Sequence, residues 1–158
     1  MSNREFFLKQ FQKEAPKFVS VIRAMPTDRL DYKPHERSTP AGGLAWFLVI
    51  ELRALLDLVK TGENHWTQPP VPDSTDAIAD AYEQTAKEMT AALASVDDAQ
   101  WASDTRMYFG EFVRTEPLGE TIWDFFFDAI HHRGQLSTYL RPMGGTVPSI
   151  YGPSGDSK

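Results

Sequence analysis

Apolar residues recur with a helical period in four stretches of the chain, separated by segments rich in proline and glycine. In the first, about residues 3–24, Phe7, Phe11, Phe18, Val21 and Ile22 share a face, and Ser2 followed by Glu5 has the spacing of a capping box. Pro16 lacks the N–H for its own helical bond and predicts a bend or a break there. Residues 25–40 carry Pro26, Pro34 and Pro40 and no sustained period, so they read as an ordered loop. A second helix runs from Pro40 or Gly43 to Lys60 with Leu44, Phe47, Leu48, Leu55 and Val59 on one stripe, and Thr61-Gly62 stops it.

Beyond a proline-bearing connection, Ser74 caps a third helix reaching about Val96, with Ile78, Tyr82, Ala86, Met89 and Leu93 facing inward. A fourth runs from about Pro117 to Leu140, where Pro142 and Gly144-Gly145 end it. Its inner stripe is Ile122, Phe125, Phe126, Ala129, Leu136 and Leu140. Between these two, residues 97–116 are rich in aromatics around Gly110, and both a loose hairpin and a packed loop fit. The pattern predicts an all-α fold: an antiparallel four-helix bundle with long ordered loops. It forms one domain over residues 1–158, with an extended Gly-, Pro- and Ser-rich tail over 144–158.

Composition narrows what such a bundle can do. Sixteen Lys and Arg against twenty-two Asp and Glu leave a net charge of −6, which disfavours nucleic acid as a partner. The longest apolar run, Leu44–Ile50, is far below the roughly 20 residues that cross a bilayer, and the polar start lacks a signal-peptide core, so a cytoplasmic location is expected. With no cysteine, any metal must be held by His, Asp, Glu or water, and a Cys nucleophile is excluded.

Candidate chemistry comes from charged residues on apolar stripes, because a buried carboxylate needs a partner or must surrender its charge. Glu51 falls in the middle of the second helix's stripe. On the fourth helix Glu120, Asp124, Asp128 and His132 recur every four residues as one ridge, with His132 nearest the core. Asp128 and His132 at i and i+4 can share one metal ion or one water, and Glu51 from the facing helix can complete the set. Alternatively, Glu51 is tied to His132 or Arg133 as a structural ion pair and Asp128 is solvated. His131 points away from the core, and His35 and His65 lie in loops. Trp46 and Trp123 fall off the inner stripes and are expected to pack against a loop or a second subunit.

The run His131-His132-Arg133-Gly134-Gln135-Leu136, followed by Tyr139-Leu140-Arg141, resembles the C-terminal signature of the DinB/YfiT-like superfamily. The segment from Met25 to Ser38 resembles that family's first inter-helix link, Leu44-Ala45-Trp46 the start of its second helix, and Gly145–Ser154 a tail found in one branch. The resemblance implies a four-helix bundle, often a homodimer, with a divalent metal held by one histidine on helix two and two histidines one turn apart on helix four. Here Phe47 and Asp128 stand at two of those positions, and His132 alone matches. Loss of two imidazoles shifts preference from Zn²⁺ or Ni²⁺ toward harder ions such as Mn²⁺ or Mg²⁺.

Characterised relatives imply a metal-dependent thiol S-transferase, isomerase or hydrolase that activates a low-molecular-weight thiol or a water. On that reading Asp128, His132 and Glu51 are metal ligands, with Glu51 and Arg133 serving catalysis and Arg133 or Gln135 orienting substrate. The other reading is a non-catalytic dimeric bundle that has lost its metal and binds a small molecule or a partner.

Overall fold

The computed structural model describes residues 1–157; the final tail residue, Lys158, lies outside them. Helix α1 spans Asn3–Arg23, and its capping box is formed: Glu5 N–H donates to Ser2 Oγ at 3.2 Å while Ser2 N–H donates to Glu5 Oε2 at 2.7 Å. It runs through Pro16 as one element, because Phe7 and Phe11 before it and Phe18, Val21 and Ile22 after it are all buried. Packing of both halves outweighs one missing backbone bond. A single 3₁₀ turn, Thr27–Arg29, interrupts the loop to α2, Ala41–Thr61, which ends on Gly62 at φ 80°, a left-handed conformation that glycine adopts without strain.

Helix α3, Thr75–Ser95, starts where Ser74 Oγ accepts from Ala77 N–H at 3.2 Å. The fourth long helix is α5, Leu118–Leu140, and a one-turn helix α4, Asp98–Trp101, precedes it. The third long helix packs on both α1 and α2, while α5 closes the bundle against α2 and α1. Trp46 is buried and donates through Nε1 to the carbonyl of Pro69, so it packs against a loop.

A wholly α-helical fold is overturned by a sheet of three strands. Residue triplet β1, Glu63–His65, pairs in parallel with β2, Asp104–Phe109, which pairs antiparallel with β3, Phe112–Pro117. The molecule is therefore a helix-rich mixed fold. Strand β2 alternates in the way a half-buried strand must, with Thr105 and Met107 buried and Arg106 exposed between them. Strand β1 is three residues long, too short to show any period, and its partner lies some forty positions away with Asn64 opposite Met107. The hairpin turns at Gly110, φ 65°, with Phe109 opposite Phe112.

The tail after α5 is tied down rather than free: Asp156 accepts from Arg141 Nε at 3.0 Å and from Val147 N–H at 2.8 Å. Where α5 begins, Gly119 lies so close to the indole of Trp101 that a Cβ there would overlap it. Gly119→Ala is expected to displace Trp101 and lower stability by about 1–3 kcal/mol, as overpacking does, read as a lower urea midpoint with unchanged m-value. A variant as stable as the parent would show that this contact is easily relaxed.

Candidate active site

Glu51 enters the core from the middle of α2 and is 2% exposed. It makes no ion pair with His132 or Arg133; the charged group it faces is Asp128 on α5. Burial first, and then hydrogen bonding to and repulsion by the Asp128 carboxyl, push Glu51 up to about 9. At neutral pH it is accordingly a neutral acid able to share its proton with Asp128. Its Oε2 is buried and has no hydrogen-bond donor among the described residues. A cavity of about 20 Å³, large enough for one water, lies beside it, walled by Leu48, Tyr82, Phe125 and Phe126.

Asp128 is half exposed and links the buried acid to the surface. Its Oδ2 is 3.2 Å from His132 Nε2, and His132 Nδ1 is 3.1 Å from Gln135 Oε1. Gln135 Nε2 donates onward to the Tyr139 hydroxyl at 3.3 Å. The i, i+4 and i, i+3 spacings on α5 thus produce a polar line, Asp128–His132–Gln135–Tyr139, with Glu51 at its buried end. On its other side Asp128 lines an open pocket of about 270 Å³ with Arg114, Asp124 and Phe125. Arg114, from β3, is paired with Glu116 and with Asp124 and lies 5.7 Å above the Phe125 ring.

Phe47 packs edge-on against His132 with ring centres 5.3 Å apart; Trp66 contacts Phe47, and Phe109 contacts Trp66, each at 5.7 Å. The sheet is what brings Trp66, Phe109 and Arg114 to this end of the bundle. Neither Phe109 nor Arg114 is legible as a site residue in the sequence, because their placement depends on the β1–β2–β3 register; the aromatic run around Gly110 is the available signal.

The expected metal ligands meet as pairs, Glu51 with Asp128 and Asp128 with His132. Among the described residues no three His, Asp or Glu side chains converge as a metal site. Nδ1 of His132 faces Gln135, Nε2 faces Asp128, and the Phe47 ring supplies no ligand. The side chains expected to hold a metal thus come together two at a time, through Asp128.

Arg133, expected to serve catalysis, is 2% exposed and committed elsewhere. It pairs with Glu14 of α1 at 2.6 Å, donates to the Tyr151 hydroxyl at 2.7 Å, and lies 4.5 Å above the Phe18 ring. Glu14 also accepts from Lys17 at 2.6 Å. Burial alone would raise the Glu14 carboxyl, but hydrogen bonds from Lys17, Arg133 and Tyr151 override it and hold the group below its ordinary value. His131 is exposed on the far side of α5, and His65 stacks on Tyr108 at 4.3 Å.

Residues 1–157 match the DinB family. The uncharacterized protein YrdA of Bacillus subtilis strain 168 is 28% identical over 156 residues, covering 95% of this chain and 89% of that one. A DinB-like protein from Bacillus cereus ATCC 10987 superposes with a TM-score of 0.78 at 25% identity, covering 93% of this chain and 97% of that one. The mycothiol-dependent maleylpyruvate isomerase superposes with a TM-score of 0.55 at 15% identity; 93% of this chain matches 65% of that one, a likeness of fold.

Proposed function

Because the chain belongs to the DinB family, we propose that it is an enzyme in which a proton-sharing pair of carboxyls, Glu51 and Asp128, works where relatives are implied to use a metal. The observation that carries this reading is the buried Glu51 carboxyl, held neutral opposite Asp128 with Oε2 unpartnered. A buried acid without full hydrogen bonding lowers stability, and such groups concentrate at sites that use their proton.

Substrate would enter the pocket beside Arg114, Phe125 and Asp128, where Asp128 is the exposed member of the pair. The mycothiol dependence of an isomerase with this fold favours a low-molecular-weight thiol as co-substrate. In the simplest reaction, Asp128 takes the thiol proton, the sulfur adds to an electron-poor alkene, and the pair returns one proton to the carbon next to the activating carbonyl. His132, whose Nε2 lies 3.2 Å from Asp128 Oδ2, positions that carboxyl.

The test is thiol addition to maleate-type alkenes with glutathione, coenzyme A and mycothiol, in the presence of EDTA. Turnover is expected, and Glu51→Gln and Asp128→Asn should each lower it by about 10²-fold or more. Absence of turnover with all three thiols, or full activity in Glu51→Gln, would exclude this function. No helix among the described residues is long and apolar enough to cross a membrane.

A further inference from the structure

The outer face of α5 carries a row of exposed residues that neither the core nor the site uses: Glu120, Phe127, His131, Gly134, Thr138 and, just past the helix end, Arg141. Their spacing keeps them within about 80° of one another at 100° per residue, so they form one ridge along the whole helix.

Two of these residues are out of place on a solvated helix. Phe127 is 59% exposed, yet its ring is held in position. It stacks on Trp123 with ring centres 5.4 Å apart, Trp123 stacks on the exposed Phe6 at 6.2 Å, and the Trp123 indole N–H donates to Asn3 Oδ1 at 2.9 Å. Single exposed apolar residues are ordinary, whereas three stacked rings make a contiguous patch of the kind that marks a protein contact. Gly134 stands in the helix interior, where glycine lowers helix stability relative to alanine. A Cβ there would meet nothing within 4 Å among the described residues, so no group of its own chain requires the small residue.

The ridge is complementary to itself when turned end for end. In an antiparallel pair of α5 helices, Phe127 set against the partner's Gly134 puts the partner's Phe127 against Gly134 by symmetry, with the two-fold axis beside His131. Glu120 lies seven residues before Phe127, and Arg141 lies seven after Gly134, so the same register brings Glu120 opposite the partner's Arg141. Glu120 has no ion-pair partner among the described residues. Arg141 donates its Nε–H to Asp156 at 3.0 Å while its side chain stays 57% exposed.

We infer that α5 docks antiparallel against α5 of a second copy of this chain, Phe127 of each filling the gap above Gly134 of the other and Glu120 pairing with Arg141 at both ends. One register satisfies an apolar knob, a gap and an opposite-charge pair, each of them twice, as a two-fold interface requires. Gly134 lets the two helices approach closely where they cross. A parallel pair would instead set Phe127 on Phe127 and Glu120 on Glu120. Asp124 and Asp128 stand about 60° and 100° around the helix from Phe127, so the second helix runs alongside the pocket of the candidate site. The pairing is independent of the reaction proposed above.

Sedimentation equilibrium of the full chain is expected to give twice the mass of one chain at micromolar concentration. Phe127→Glu and Gly134→Leu should each raise the dissociation constant by about tenfold or more. Both positions are exposed, and leucine favours the helix, so the fold is not at risk. Glu120→Arg and Arg141→Glu should each weaken association by about tenfold, since the pair occurs twice, and the double variant should restore it. The chain has no cysteine, so His131→Cys is expected to form a disulfide-linked dimer on mild oxidation, whereas Gln84→Cys on α3 should not. A monomer throughout, a dimer indifferent to Phe127→Glu and Gly134→Leu, no rescue in the double charge variant, or no link through His131→Cys would overturn the pairing.

Discussion

The free energy of unfolding should fall as pH rises from about 5 to about 9, and Glu51→Gln should remove most of that dependence. Glu51 stands near 9 in the folded chain against an ordinary value of 4.5, so the folded state retains a proton that the unfolded chain releases. Below 4.5 both states are protonated and the group is neutral toward pH. Between the two values each pH unit favours unfolding by up to about 1.4 kcal/mol, and above 9 both states are ionised and the slope ends. The cumulative effect is on the order of 5 kcal/mol, a large part of the stability of a domain this size.

Glu51→Gln keeps the shape and abolishes the titration, so the difference between parent and variant isolates this group. Asp128→Asn should lower the upper end of the window, because Asp128 supplies part of the upward push through hydrogen bonding and repulsion. The measurement is the urea midpoint at unit pH steps. Parallel profiles for parent and Glu51→Gln would mean that Glu51 titrates alike in both states, and the proton-sharing pair would then lose its basis.

The second large effect is expected at Arg133. Arg133→Met leaves the Glu14 carboxylate buried with Lys17 and Tyr151 alone, and breaking such a pair from one side costs about 3–5 kcal/mol. For a chain of this length that corresponds to a fall of roughly 10 °C in Tm. Replacing both partners, Arg133→Met with Glu14→Leu, should recover much of the loss, since neither charge is then stranded. Tyr151→Phe removes two hydrogen bonds at the edge of the cluster and should cost about 1–2 kcal/mol. Because Glu14 is held below its ordinary value, its share of stability is present at neutral pH and is lost as pH falls through the folded-state value. A variant at Arg133 that loses turnover while keeping its Tm would instead assign the guanidinium to substrate.

Periodicity alone located the long helices, because each must bury one apolar stripe and carries its own start and stop signals: the Ser2 and Glu5 box, the Ser74 cap, Gly62. It also exposed Glu51, since a carboxylate in mid-stripe is visible before any fold is known. What escaped were the partners. Glu14 reads as one more polar residue of α1 until α5 brings Arg133 against it from 119 positions away. Strand β1 is too short to have a period, and its parallel pairing with β2 depends on where α2 ends and the hairpin lands. Asp128 and His132 share a ridge by spacing alone, but that Glu51 of α2 faces Asp128 rather than His132 or Arg133 is visible only in the packed bundle. Local pattern specifies which faces are buried; only packing decides which buried charges meet, because that depends on distances between elements that no spacing along one helix contains.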